Sequence, residues 1–162
     1  MVYGEKLLSK NILGRFMGKI VVKTDGSSFG NPGYAGAGVE IVGPKHLLAS
    51  KPLGIATNNA AEYEAVIFAL ELLSKYKLFS RKIVIETDSQ LLVKQVSKEY
   101  SVKSEVIKPL YEKMNLLIGM FDDLEIKYIP REQNHIADFL ARTGSNESRR
   151  RATGQKWWLH SS

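Results

Sequence analysis

The sequence predicts an α/β layer protein: a five-stranded mixed sheet, three antiparallel strands plus two parallel ones, flanked by helices. Three observations carry this. Strand-like and helix-like stretches alternate in the order three strands, helix, strand, helices, strand, helix. The first three strands are separated only by short Gly/Pro-bearing turns, as in an antiparallel meander, whereas the later ones are separated by helices, as parallel neighbours require. The length of 162 residues, with 44% apolar and 25% charged, suits one soluble domain with a sizeable core.

Taken in order, residues 20–24 (Ile-Val-Val-Lys-Thr) read as a buried-type strand that runs into Asp25. Residues 26–34 read as a Gly-rich turn, followed by strands near 35–42 and 46–54 with "GPKH" between them. Residues 58–77 form a strong helix pattern, with Ala61, Ala65, Phe68 and Leu72 at steps of three and four and Asn58 or Asn59 as its N-cap. "KIVIET", 82–87, is a second buried-type strand, closed by Asp88. A short helix is expected over 89–97 and a longer one near 103–120, kinked or broken at Pro109. The last strand is "LEIKYIP", 124–130, and the last helix 134–142, capped by Asn134. Domain boundaries follow: an N-terminal extension over 1–17, a globular part over 18–144 and a basic C-terminal tail over 145–162.

Composition removes several function classes. Without cysteine there is no disulfide, thiolate zinc site or cysteine nucleophile. No apolar run reaches a membrane span, and charged residues interrupt the N-terminal segment, so no secretory h-region is read there and a cytoplasmic protein is expected. The net charge of +6 lies entirely in the ends: residues 1–19 and 145–162 each hold four basic residues against one acidic, while the stretch between is neutral. Basic ends on a neutral body fit a polyanionic partner, nucleic acid most simply, and equally fit a solubilising tail.

The acidic residues suggest chemistry. Asp25 and Asp88 each close a buried-type strand, and if those strands are neighbours both carboxylates meet at one sheet edge, where α/β proteins bind ligands. Glu62 lies near the start of the long helix, and Asp138 one turn into the last. Four converging carboxylates repel unless cations neutralise them, and two divalent ions match four negative charges. An all-oxygen donor set suits Mg²⁺, with Mn²⁺ as the other candidate, and two such ions about 4 Å apart are the apparatus of in-line displacement at a phosphodiester. Taken singly, Asp88 also reads as part of a helix cap, and Glu62 as a solvated helix residue.

In this order, "TDGSSFGNPG", "TNNAAEYEA", "ETDSQ" and "REQNHIADFLAR" resemble the type 1 ribonuclease H family over roughly residues 18–144. Each motif is weak alone; four in order are specific. The resemblance implies a ribonuclease H-like fold and an endonuclease that uses two Mg²⁺ ions to cut RNA paired to DNA, leaving 3′-hydroxyl and 5′-phosphate ends. It implies that Asp25, Glu62, Asp88 and Asp138 are the metal-binding catalytic carboxylates, with Asp25 bridging the ions. Gly26, Ser27, Asn31, Asn58, Asn59 and Gln90 fall on positions that touch the hybrid, and Thr57 on one that helps to hold a DNA phosphate. Short amides and hydroxyls suit 2′-hydroxyl contacts, and Gly26 and Gly33 would let a bulky duplex approach. Asn31 reads equally as a turn residue. The expected partner is the hybrid, with no membrane and no small-molecule cofactor, and the chain is expected to be a monomer.

The pattern also departs from the family. Ile55 stands where some members have an arginine. The mobile histidine found in many members falls on Tyr128, and the loop before the last helix offers Arg131 instead. Arg131 is assigned part of that role, as a cation that draws on a phosphate oxygen rather than as a titrating acid. His135 reads as a surface residue near the site; His46 and His160 have no expected partner. The basic loop between the middle helices is short and of mixed charge. The run Arg149-Arg150-Arg151, with Lys156, Trp157 and Trp158, could replace it or simply be solvated. Two competing readings are a catalytically inactive hybrid-binding module and a transposase- or resolvase-like relative. "GAGVEI", 36–41, lacks the third glycine and following helix of a dinucleotide site.

Overall fold

The structure, a computed structural model, describes residues 18–154. Five strands, β1 (Ile20–Gly30), β2 (Gly33–Val42), β3 (His46–Ala56), β4 (Lys82–Thr87) and β5 (Asp123–Tyr128), form one sheet in the order β3-β2-β1-β4-β5. The first three are antiparallel neighbours, and β4 pairs parallel with both β1 and β5. The helices are α1 (Asn58–Lys75), α2 (Gln90–Val96), α3 (Ile107–Ile118) and α4 (His135–Thr153), with a 3₁₀ turn at Arg131–Gln133 before the last. No helix among the described residues is long and apolar enough to cross a membrane.

Helix α1 is apolar around much of its circumference because it lies between the sheet and α3. Tyr63, Ile67, Leu70 and Leu73 are fully buried against Ile83 and Ile85 of β4, Leu92 of α2 and Met114 of α3. Helix α4 covers the opposite face, along β1, β2 and β3. Glycines make this second contact close. A Cβ on Gly36 would lie 2.3 Å from Ala141 O, and one on Gly38 2.2 Å from Ala137 O. The glycines of "GAGVEI" are therefore the bed of a helix.

Several expectations change. β1 does not end at Asp25 but continues to Gly30, and the turn shrinks to Asn31-Pro32, because Asp25–Gly30 keep pairing with β2 out to Gly30↔Gly33. Pro109 causes no break: it is the third residue of α3, where a missing N–H is one of those a helix start leaves free anyway. Thr57, not Asn58 or Asn59, caps α1, its side chain accepting from Ala60 N at 3.2 Å. Asn134 occupies the cap position of α4 without capping: its side chain is fully buried and donates to Thr24 O at 2.9 Å. His46 does have a partner, Glu40, at 2.7 Å. The expected boundary at 144 falls inside α4, and 145–153 belong to the folded body. Ser145 Oγ donates to Ser27 O at 3.0 Å, and Ser148 Oγ donates to Ala35 O at 2.6 Å and accepts from Leu53 N and Gly54 N at 3.1 and 3.0 Å. The expectations for 1–17 and for Lys156, Trp157, Trp158 and His160 lie outside the described residues.

Candidate active site

The pairing of β1 with β4 stops at Thr24↔Thr87. One step further the next residues are Asp25 and Asp88, so the parallel register brings two carboxylates to the same edge. Glu62, the fifth residue of α1, joins them from the face opposite α4. Gly26 makes this approach feasible: a Cβ there would lie 2.2 Å from the Ala61 carbonyl carbon, and its N–H donates to Glu62 Oε2 at 3.2 Å. Gly26 thus makes room for α1, and a Cβ on Gly33 would meet Phe29 O in the hairpin. Both glycines thus permit close internal packing, and Gly26 also lines the cleft.

One oxygen from each of Asp25, Glu62 and Asp88 lies within 4.8 Å of the others. Burial, then the charges of Asp88 and Asp138, push the Asp25 carboxyl up to about 8. Burial and the charges of Asp25 and Asp88 raise Glu62 well above the usual carboxylate range. Asp88 is also raised by burial, against the opposing pull of the Arg131 guanidinium. Three oxygen donors held together against their own repulsion fit a divalent cation, and the donor set suits Mg²⁺ or Mn²⁺.

Asp138 reaches the same cleft but stands outside the triad. Its carboxylate is gripped by Arg142 one helical turn on (Nη2–Oδ2 3.1 Å, Nε–Oδ1 3.3 Å), with Arg131 Nη2 at 3.8 Å. Sequence reasoning assigned no role to Arg142, although its i,i+4 spacing from Asp138 was the available signal. The cleft, of about 580 Å³, is lined by all four carboxylates and by Gly26, Ser27, Asn58, Tyr128, Arg131 and Arg142, with Ser28 and Phe29 along its β1 wall. Asn31 is outside the lining and braces it, Oδ1 accepting from Asn58 N at 3.1 Å. Thr57 is engaged as a cap, and Asn59 and Gln90 are exposed at the starts of α1 and α2, outside the lining. Ile55 is 61% exposed and His135 is exposed.

Comparison with known proteins bears on what this cleft is. The reverse transcriptase-like family matches residues 23–144, which include every cleft residue named above. The RNase H1 of Halobacterium salinarum superposes with a TM-score of 0.73 at 32% identity, over 80% of this chain and 99% of that one. The chain belongs to the type 1 ribonuclease H family. Within it, LC11-RNase H1, solved in complex with an RNA/DNA hybrid, is 36% identical with a TM-score of 0.74, covering 80% of this chain and 98% of that one. A bifunctional protein of Mycobacterium tuberculosis is 37% identical over 127 residues, 76% of this chain but 34% of that protein. The Ribonuclease HI of Halobacterium salinarum is 35% identical over 76% of this chain and 63% of its own length. The chain therefore spans between about a third and two thirds of these two curated relatives.

Proposed function

We propose that this chain is a metal-dependent endonuclease that hydrolyses the RNA strand of RNA–DNA hybrids, leaving 3′-hydroxyl and 5′-phosphate ends. The observation that carries the proposal is the triad Asp25, Glu62 and Asp88, held within 4.8 Å in an open cleft of a ribonuclease H fold. These three, with Asp138, would hold Mg²⁺, or Mn²⁺ in its place. A pair of such ions supplies an activated water and a stabilised leaving oxygen.

The chain's own residues orient and select. Ser27 and Asn58 present a hydroxyl and an amide to the duplex, the groups suited to a ribose 2′-hydroxyl. Gly26, Asn31 and Thr57 support that wall, and Asn59 and Gln90 offer further amides at exposed helix starts. Arg131, whose side chain is 72% exposed, reaches Asp138 at 3.8 Å and is free to turn toward a phosphate oxygen. A binding-only module has little use for mutually repelling carboxylates with raised pKa values, and nothing in the geometry favours it.

The test is cleavage of an end-labelled hybrid in Mg²⁺, Mn²⁺ or EDTA, with Asp25→Asn alongside. The expected result is metal-dependent cutting of the RNA strand, lost in the variant. Tight binding of the hybrid without cutting under either metal would overturn the proposal in favour of the binding module.

A further inference from the structure

The run Arg149-Arg150-Arg151 reads as three equivalent charges, but the fold makes them unequal. Arg150 and Arg151 are turned back onto Glu147, with Nη2–Oε2 at 2.5 Å and Nε–Oε1 at 2.9 Å. Arg151, with Arg150, holds the Glu147 carboxyl below the usual carboxylate range, as a carboxylate shared between two guanidiniums should be. Arg149 has no carboxylate partner among the described residues. Its guanidinium carbon stands 6.0 Å from the centre of the Phe29 ring, and Nη2 donates to Asn146 Oδ1 at 3.4 Å. Phe29 is itself 43% exposed and lines the wall of the catalytic cleft.

Arg149 lies seven residues, two helical turns, beyond Arg142, so both occupy one face of α4, about 10 Å apart along the axis. Arg142 stands at the carboxylates and Arg149 further along the same wall. This part of α4 is held firmly, since Ser145 and Ser148 are bonded to the sheet on the helix's inner side. The loop between α2 and α3, residues 97–106, carries no surplus of positive charge: Lys98 and Lys103 face Glu99 and Glu105, and Glu105 is paired with Lys108 at the start of α3 at 2.5 Å.

We infer that Arg149, seated on Phe29, is a phosphate grip that extends the cleft along α4 and holds the sugar-phosphate backbone of the RNA–DNA hybrid away from the scissile bond. The inference rests on the function proposed above. A guanidinium with one flank on an aromatic ring and no carboxylate to neutralise it is pre-oriented to meet a phosphate oxygen. Arg150 and Arg151, both held back on Glu147 and sharing its single negative charge, are turned away from a phosphate and add less.

The experiment measures binding of an RNA–DNA hybrid as a function of salt, in the uncleaving Asp25→Asn background, for Arg149→Ala, Arg150→Ala, Arg151→Ala and Phe29→Leu. Arg149→Ala is expected to weaken binding by roughly tenfold at moderate salt and to lower the log–log salt slope by about one. Phe29→Leu should weaken binding in the same direction, whereas Arg150→Ala and Arg151→Ala should change affinity less than about twofold. In the active protein, Arg149→Ala should raise KM and leave kcat unchanged. All four side chains are at least partly exposed, and thermal melting checks that each variant folds. Equal losses from all three arginines would overturn the inference in favour of a diffuse basic patch, and an unchanged slope in Arg149→Ala would overturn it outright. Failure of Asp25→Asn to bind the hybrid at all would overturn the functional reading along with it.

Discussion

At the residue scale the site is built from groups that are costly where they stand. Asp25 is 5% exposed beside two other carboxylates, and Asn134 is fully buried with its Oδ1 lacking a hydrogen-bond partner. The amide of Asn134 ties Thr24 O, next to Asp25, to the start of the helix that carries Asp138, and its side chain also draws down the Asp88 carboxyl. Asn134→Ala is expected to lower stability by about 1–3 kcal/mol, read from denaturant unfolding, by leaving Thr24 O buried and unsatisfied. It should also reduce turnover, because the end of β1 and the start of α4 are no longer tied. Arg131→Ala tests a different kind of residue. Being exposed, it should leave stability alone and lower turnover by at least tenfold with little change in hybrid affinity; unchanged turnover in single-turnover kinetics would remove Arg131 from the reaction.

At the scale of elements, the close seating of α4 determines where Asp138, Arg142 and Arg149 sit. Gly36, Gly38 and Gly144 allow backbone to pack on backbone, and a Cβ on Gly144 would lie 2.5 Å from Lys51 O. Gly36→Ala must therefore lift the helix. A loss of about 1–3 kcal/mol is expected, with reduced activity even in the fraction that stays folded. Melting curves and turnover per folded molecule would check both halves, and a fully active, fully stable variant would show that α4 can shift without consequence. Removing residues 145–162 as a block is a poor probe of the basic end, since it cuts a helix bonded to β2 and β3 through Ser148.

At the scale of the whole molecule, the site trades stability for charge. Three carboxyls have pKa values raised above their unfolded values, Asp25 to about 8. A raised carboxyl binds its proton more tightly in the folded state, so its contribution is fullest below about pH 4, the unfolded pKa, and declines as pH rises toward 8. The metal-free protein is accordingly expected to melt at a lower temperature at pH 8 than at pH 5. Asp25→Asn should flatten that slope and raise the melting temperature at pH 8 by on the order of a few degrees. Added Mg²⁺ should stabilise the parent chain more at pH 8 than at pH 5, through binding to the ionised site. A melting temperature that rises from pH 5 to pH 8 without metal would contradict the electrostatics described.

Much of this was legible in the chain because it depends on local pattern. Alternation and helical periodicity set the element order, and the matching positions of Asp25 and Asp88 after two buried-type runs pointed to one sheet edge, provided that the strands were neighbours, as they are. Asp25, Glu62, Asp88 and Asp138 stand in motifs whose order identifies the family. What local pattern could not reach was decided by contacts between distant segments. β1 runs on past Asp25 because β2 continues to pair with it, and α4 runs to Thr153 because Ser145 and Ser148 find acceptors in β1 and β2, more than a hundred residues away. Asn134 gives up its capping role for a buried carbonyl, and Glu147 reaches Arg150 and Arg151 but not Arg149 because α4 continues through this run and places only the third and fourth residues on beside it. Local pattern in the chain fixed the order of its strands and helices and which residues could carry charge. The tertiary structure alone decided which of those charges meet a partner, because Coulomb and hydrogen-bond energies depend on distance in space, not along the chain.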